Sequence, residues 1–484
     1  VDLPDELVVD ILGRLRPRDV AVGRCVRKDW RTAVDLHGLL LLPVGPVRGL
    51  FVNYIYKWRN GFFSRVAPAQ GSPSIDGGLR FLPGRPTNYR GVLDHSNGLL
   101  LYENALEMHV CNPATRRWAA LPPPRVPPIC LRQPLYRRRM YLLFDPTRTL
   151  HYDVLFLPDA PKKPNYVGTT LPEDQPGSSS SETHYEHEYN TTSSMEWPPY
   201  LYPVQIYSSR TGQWADRTFV REGNVTGTMM DVWSDPTPPT SGFDAIRRHG
   251  VHWRGALYVH CRGDFVMRLS LVEEIYRVTK TPRLHVAEYN EEDDDAKTFG
   301  YLGKSNNGVY YTAIRGYQFQ VWILREASGL HQAPEWEVKH QANLKLAFVR
   351  HYNKHKIGEN SATWVLNPRD KVSEDREEHE WDSSDDSEDS VADMEEEEIN
   401  NLEGYKKHYH YYGLDLLGYH PHKEIALLGN SFKGFAYYLD NSKLEYLGSL
   451  FPRFSLDIRP RAPMFESFIY TPCMDDLLPA HNDI

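Results

Sequence analysis

The 484-residue sequence has few cysteines, no long hydrophobic run and no catalytic signature. Its five cysteines contain no C-x-x-C pair, and so odd and sparse a set favours reduced thiols and a cytosolic or nuclear location. Apolar runs such as the four leucines at residues 39–42 are far shorter than the ~20 residues of a membrane span. For lack of such a span we expect no membrane partner, and because the amino terminus is acidic we expect no secretory signal.

Motifs for catalysis and metal binding are also missing. The sequence has no G-x-S-x-G elbow and no H-E-x-x-H pair. The run Gly303-Lys304-Ser305 ends like a phosphate-binding loop, but Thr298 stands where that loop needs its first glycine, which predicts a hairpin turn instead. The paired histidines lack cysteines or carboxylates at ligand spacing; these are His184 with His187, His408 with His410, and His420 with His422. We therefore expect no catalytic residue, no metal and no cofactor.

The negative charge is concentrated in one segment. Residues 374–398 hold 15 Asp or Glu residues against one arginine, so the rest of the chain is mildly basic although the net charge is −9. The rest of the chain lacks the dense cluster of basic residues that is typical of a nucleic-acid-binding protein, so no nucleic-acid partner is expected. The acidic block lies within residues 367–404, and a second polar segment covers residues 172–199. Both are poor in aliphatic side chains, which predicts two disordered inserts.

Residues 3–36 carry a helical pattern. Pro4 suits the first helical position, and the acidic residues after it favour the positive end of the helix dipole. Leu7, Ile11, Leu12 and Leu15 then recur at helical spacing and predict one apolar stripe. The Leu15-Arg16-Pro17 run ends this helix; the pattern predicts a second over residues 19–26 and a third that carries Trp30.

From about residue 45 the periodicity changes to two, with frequent turn residues. In a loose repeat, a glycine precedes an apolar strand with tyrosine and a tryptophan follows after a turn. Repeats of ~40–50 residues with four strands are typical of propeller blades. The expected fold is mainly β with a small N-terminal α module: helices followed by a degenerate β-propeller of roughly six to eight blades. The repeat predicts packing roles for its tryptophans, which are Trp118, Trp214 and Trp336.

The N-terminal segment resembles an F-box. The family pattern has Leu-Pro, a further Leu, Ile-Leu, Leu-Pro, an aliphatic residue and Val-Cys-Lys-x-Trp. The sequence departs from it at Arg16 and Arg27. The positions that follow it in register are Leu3, Pro4, Leu7, Ile11, Leu12, Leu15, Val20, Val26, Lys28 and Trp30.

The remainder is similar to the F-box-associated region of the large plant F-box families. The resemblance lies in residues 96–101, 111–118, 417–424 and 470–473, the second of which reads Cys-Asn-Pro-Ala-Thr-Arg-Arg-Trp. The two resemblances imply a three-helix F-box domain over residues 1–44 and a Kelch-like β-propeller over residues 45–484.

In family terms, the chain is a non-catalytic substrate receptor of a ubiquitin ligase. The resemblance implies that the helical module docks on the Skp-type adaptor of a cullin-containing SCF ligase and that the β domain recruits an unknown protein substrate. The residues that it assigns to adaptor binding are Leu3, Pro4, Leu7, Ile11, Leu12, Leu15, Val20, Val26 and Trp30.

Three alternatives stay open at this point. Without the resemblance, the apolar stripe of the first helix favours packing on the chain's own β body, which is the commoner fate of an amphipathic helix; with the resemblance, adaptor binding is favoured. An F-box scaffold that acts outside any ligase would bind the adaptor without a cullin. A propeller-type enzyme would need a cluster of titratable groups, or a metal, in its central channel.

Overall fold

A computed structural model describes most of the chain. The described residues are 5–13, 15, 17–36, 47–54, 57–65, 75–83, 90–104, 107–124, 139–146, 148–158, 160, 163, 189–225, 227–234, 250–284, 298–305, 307–325, 334–354, 363–366, 414–430, 432–450, 464–473 and 477–479. The acidic insert lies outside them, as does the first predicted insert up to residue 188. The end of that first insert is described, and it includes a short strand at Glu196–Trp197.

Three short helices form the N-terminal module: α1 (Asp5–Gly13), α2 (Pro17–Val26) and α3 (Lys28–Leu36). Their shared core consists of residues from these helices, with Trp30 and Val9 packed against it; it contains Val8, Leu12, Val20, Ala33 and Val34. Gly23 lets the helices approach closely, because a Cβ there would lie 3.3 Å from Leu12 Cδ2. The helices predicted from the sequence are confirmed as secondary structure.

The rest of the described chain is mainly strand, with helical residues at 189–193 and two further short helices, α4 (Met229–Ser234) and α5 (Lys345–Lys354). The strands in chain order are β1 (Gly49–Tyr54), β2 (Lys57–Arg65), β3 (Arg90–Ser96), β4 (Leu99–Asn104), β5 (Glu107–Asn112), β6 (Arg117–Leu121), β7 (Arg139–Leu143), β8 (Asp153–Leu157), β9 (Glu196–Trp197), β10 (Leu201–Ser208), β11 (Gln213–Arg221), β12 (Gly227–Thr228), β13 (Gly250–Trp253), β14 (Ala256–Cys261), β15 (Phe265–Ser270), β16 (Ile275–Lys280), β17 (Phe299–Ser305), β18 (Gly308–Arg315), β19 (Gln318–Arg325), β20 (Glu335–Asn343), β21 (Trp364–Leu366), β22 (Asp415–Tyr419), β23 (Ile425–Asn430), β24 (Lys433–Tyr438), β25 (Leu444–Ser449) and β26 (Met464–Tyr470).

These strands form six four-stranded antiparallel units and a two-stranded pair, β9 with β12. Unit 1 is β26-β1-β2-β21, unit 2 is β3 to β6, unit 5 is β17 to β20 and unit 6 is β22 to β25. Units 3 (β7-β8-β10-β11) and 4 (β13 to β16) merge into one eight-stranded sheet through a short parallel pairing of β11 with β16. Unit 1 joins the two ends of the β region, because β1 pairs with β26.

One edge strand of each unit contacts the corresponding strands of the neighbouring units. We call these six strands the axial strands; they are β26, β3, β7, β13, β17 and β22. Contacts run from β26 to β3, from β3 to β7, and from β13 through β17 and β22 back to β26. Between β7 and β13, the Tyr141 ring fills the space beside Gly250 and leaves no room for a side chain there. The axial strands therefore form a ring, and the arrangement of the sheets is propeller-like.

The hydrophobic core lies in layers between neighbouring units. Each of the six neighbouring pairs shares a cluster of buried side chains. In β14, for example, Leu257 and Val259 face unit 3, whereas Ala256 and Tyr258 face unit 5. Successive strand residues point to opposite faces, so a sheet covered on both sides reads as a nearly continuous apolar run. This explains why all six residues of β14 are buried.

The repeated tryptophans connect neighbouring units at their outer strands. Trp118, Trp214 and Trp336 are each the second residue of the outermost strand of a unit and are partly buried. Trp214 Nε1 donates to the Pro122 carbonyl of unit 2 at 2.7 Å, and Trp336 Nε1 donates to the Lys280 carbonyl of unit 4 at 2.9 Å. The repeat in the sequence therefore marks packing positions.

Candidate functional site

The first candidate site is an apolar ridge on the N-terminal module. Leu7, Ile11 and Leu15 are 49%, 48% and 42% exposed. They are spaced four residues apart, which places Leu7 and Ile11 on one face of α1 with Leu15 just beyond its end. We call these three residues the apolar ridge. Short surface helices usually turn such residues inward, so an uncovered set marks a candidate interface.

The structure divides the predicted apolar stripe between two faces. Leu12 and Val8 point to the inside of the module and are 1% and 7% exposed, whereas Ile11 points outward. The division follows from helical geometry, because residues 8 and 12 share one face and residues 7 and 11 share the next. Leu12 is therefore part of the core that supports the ridge, not part of the ridge.

The other residues assigned to adaptor binding fall into three groups. Val26 is 62% exposed on α2, where it adds to the accessible apolar surface. Val20 is buried in the core of the module, and Trp30 is partly buried against that core. Leu3 and Pro4 lie outside the described residues.

A second candidate site lies on the axis of the ring. A cavity of about 300 Å³ is bounded by residues from all six axial strands. Much of its wall is made by the carboxyl-terminal ends of these strands and by the turns that follow them, such as Asn97-Gly98 and Pro421-His422. The volume is at the lower end of the range found for small-molecule sites.

Several titratable side chains line this axial cavity, including His95 and His422, and three of them interact electrostatically: Asp94 on β3, His252 on β13 and Lys304 on β17. Lys304 Nζ donates to the main-chain carbonyl of His252 at 3.0 Å. Asp94 Oδ2 accepts from the main-chain N–H of Leu142 at 2.7 Å. All three lie deep in the protein, yet each keeps part of its surface accessible because it faces the cavity.

Burial dominates the electrostatics of these groups. It raises the pKa of Asp94 to about 7, against the opposing effect of two main-chain N–H donors and of the nearby Lys304 charge. Burial and the Lys304 charge lower the pKa of the His252 imidazole to about 4, so this ring is neutral at neutral pH. Burial also lowers the pKa of Lys304, and the charges of Asp145 and Asp94 partly offset this effect.

Two residues that follow β22, Glu424 and His420, accept hydrogen bonds with their side chains near the rim of the cavity. Glu424 Oε1 accepts from Ser305 Oγ at 3.2 Å, from Asn307 Nδ2 at 2.7 Å and from the Tyr310 hydroxyl at 2.9 Å. His420 Nδ1 accepts from the main-chain N–H groups of His422 and of the next residue, both at 3.1 Å. This second arrangement requires a ring nitrogen without a proton.

Two motifs noted in the sequence take structural positions here. Gly303 and Lys304 lie within β17, and Ser305 ends that strand at its hairpin with β18. The run is therefore strand leading into a hairpin, not a phosphate-binding loop. His420 and His422 lie in a turn, and no group of three or more potential ligands in the described part of the chain is placed to hold a metal ion. His184, His187, His408 and His410 lie outside the described residues.

Sequence reasoning did not find the axial cavity. Asp94, His252 and Lys304 are separated by more than fifty residues from one another, and none belongs to a motif for a binding site. Only the order of units around the ring brings them together. A charged residue in an otherwise apolar axial strand, such as Lys304 after Tyr301-Leu302-Gly303, is the one local signal.

The comparisons with known proteins add no relative to this description. No family model matches the chain, and no curated protein has a sequence significantly similar to it. Within the described residues, no helix is long and apolar enough to span a membrane.

Proposed function

We propose that the protein is the substrate-recognition subunit of an SCF-type ubiquitin ligase. In this proposal the N-terminal module is an F-box that docks on a Skp-type adaptor, and through it on a cullin. The β region is a six-bladed, Kelch-like propeller that recruits a protein substrate. The observation that carries the proposal is the exposed apolar ridge on α1.

The ridge supports adaptor binding because a partner would bury side chains that the chain leaves accessible. Leu7, Ile11 and Leu15 are each about half exposed. Full burial of a large aliphatic side chain contributes ~1.5–3 kcal/mol before entropy, so two or three at an interface centre are sufficient for a hot spot. The F-box resemblance of residues 3–30 identifies the expected partner.

The β region supports a role in substrate recruitment. The six units, the layered core between them and the pairing of β1 with β26 are features of a closed propeller with six blades. Such a scaffold presents loops at both ends for recognition. The receptor makes no covalent bond: it holds a substrate lysine close to the conjugating enzyme and so raises its effective concentration.

A second candidate function is a propeller-type enzyme. The observation that favours it is the axial cavity with Asp94, His252 and Lys304. Such an enzyme would need no adaptor, so adaptor binding distinguishes the two functions.

Co-purification of the full chain with a Skp-type adaptor and a cullin tests the proposal. We expect the wild type to retain both partners. Ile11→Asp should lose them, whereas Val272→Asp, a matched control at an exposed valine of the β region, should retain them. Retention of the adaptor without the cullin would indicate a scaffold outside a ligase. Equal retention by Ile11→Asp and the control would contradict the proposal.

A further inference from the structure

We propose that the axial cavity binds a small zwitterion with an aliphatic body, such as a free aliphatic α-amino acid, with its carboxylate on Lys304 and its ammonium on Asp94. The inference concerns a site separate from the apolar ridge and does not depend on adaptor binding.

Lys304 and Asp94 lie on opposite sides of the axis. Their strands, β17 and β3, are three positions apart in the ring of six axial strands. Both side chains line the same cavity, and their charges interact. In the described part of the chain no carboxylate is within ion-pair distance of Lys304. An opposite pair of charges is therefore held apart across an open space.

Lys304 keeps hydrogen-bonding capacity for a ligand. An ammonium group has three N–H donors, and the His252 carbonyl takes one of them. Among the described residues the other two have no acceptor. A neutral donor would be enough for a hydrogen bond that only connects β17 with β13. A buried ammonium without a carboxylate close by is unfavourable. The charges of Asp145 and Asp94 act on Lys304 without forming an ion pair with it in the described part of the chain, and a ligand carboxylate would supply an acceptor and an opposite charge in direct contact.

Asp94 also keeps hydrogen-bonding capacity for a ligand in the cavity. Its carboxyl group accepts from the main-chain N–H of Leu142 and of its own neighbour His95, which fixes the orientation of the group. A carboxylate has about four lone-pair sites, so it accepts further donors. An ammonium group is a suitable donor because it compensates the charge whose burial raises the pKa of this carboxyl.

The rest of the wall indicates the body of the ligand. Apolar side chains make up much of the wall, alongside aromatic and polar ones such as Tyr419 and His422; the aliphatic ones include Leu142, Leu257, Leu302, Leu416 and Ile469. Such a wall favours an aliphatic group over a second charged group, because burial of apolar surface is stabilising and burial of an unpaired charge is costly. A zwitterion also leaves the net charge of the cavity unchanged on binding.

Titration calorimetry of the full chain with three matched compounds tests the inference. The compounds are L-leucine, 4-methylpentanoate, which lacks the ammonium, and L-leucinamide, which lacks the carboxylate. We expect L-leucine to bind to the wild type at least about tenfold more tightly than either analogue, as for the loss of one charge-assisted hydrogen bond.

Two single variants assign the two ends of the ligand. Lys304→Met should weaken L-leucine and 4-methylpentanoate by about tenfold or more and leave L-leucinamide unchanged. Asp94→Asn should weaken L-leucine and L-leucinamide but not 4-methylpentanoate. Lys345→Met and Asp216→Asn, at exposed positions, are the matched controls, and near-UV circular dichroism verifies the fold of each variant.

The inference is overturned if L-leucine does not bind to the wild type, or if it binds no more tightly than its analogues. It is also overturned if folded Lys304→Met and Asp94→Asn proteins both bind L-leucine as the wild type does. Should one of the variants not fold, the other variant and the wild-type comparison of the three compounds still decide the matter.

Discussion

Ile11 and Leu12 are adjacent in α1 but lie on different faces of the helix: Ile11 is 48% exposed and Leu12 is 1% exposed. The helix therefore has two apolar faces, one for the module itself and one left accessible. A helix that served only its own module would need the first of these faces alone.

Alanine substitutions at these two positions should separate stability from binding. Leu12→Ala leaves a cavity in the core of the module and should lower its free energy of unfolding by ~2–5 kcal/mol. Ile11→Ala should change it by no more than about 0.5 kcal/mol, the usual range for surface positions. Hydrogen exchange of peptides from α1 to α3 measures both. Similar exchange rates in the two variants would show that the two faces are assigned wrongly.

Two glycines provide a matched test of the packing between units 1 and 2. Gly98 has a φ of +88°, and a Cβ there would overlap the main chain of Cys473. Gly212 has a φ of +70°, but a Cβ there would meet open space. Gly212→Ala should cost about 1–2 kcal/mol, the left-handed strain alone. Gly98→Ala should cost a further ~1–3 kcal/mol for overpacking.

Urea denaturation of the two glycine variants measures these free energies. Equal destabilisation by Gly98→Ala and Gly212→Ala would contradict the close contact of the β3–β4 turn with the segment after β26.

The stability of the β region should depend on pH through His420. Burial lowers the pKa of His420 from 6.5 to about 4 in the folded chain. The unfolded chain therefore binds more protons between these values, so this residue's contribution to stability is full above about pH 6.5 and is lost as the pH falls towards 4. Protonation would also remove the Nδ1 acceptor from the turn after β22.

His252 shifts stability in the same direction and Asp94 in the opposite one. The pKa of Asp94 is raised from 3.8 to about 7, so its contribution to stability falls as the pH rises across that interval. Urea denaturation at about pH 5 and about pH 7 measures the change in the free energy of unfolding between the two pH values. This change should be smaller in His420→Gln than in the wild type and larger in Asp94→Asn. An unchanged pH effect in both variants would contradict these assignments.

The sequence predicts local structure better than it predicts either site. The helices, the strand after Gly255 and the hairpin before Trp214 follow from periodicity and turn residues, which are local signals. The inward orientation of Leu12 does not, because one short helix with apolar residues on two faces gives no sign of which face is covered. The number of units also required the structure, since the repeat is degenerate.

The axial cavity is the feature furthest from what the sequence predicts. Lys304 is part of an apparent phosphate-loop ending in the sequence, but the backbone there is an axial strand. Its relation to Asp94 depends on the closure of the ring by β26, more than 150 residues later. Contacts between residues so far apart in sequence have no local signature.

Affinity for a purified Skp-type adaptor, measured by titration calorimetry on the full chain, tests the central claim most directly. The account predicts that the wild type binds and that Ile11→Asp weakens binding at least about thirtyfold, since an interface hot spot contributes ~2 kcal/mol or more. Val272→Asp should bind like the wild type. Absence of binding by the wild type, or equal affinity of wild type and Ile11→Asp, would contradict the account.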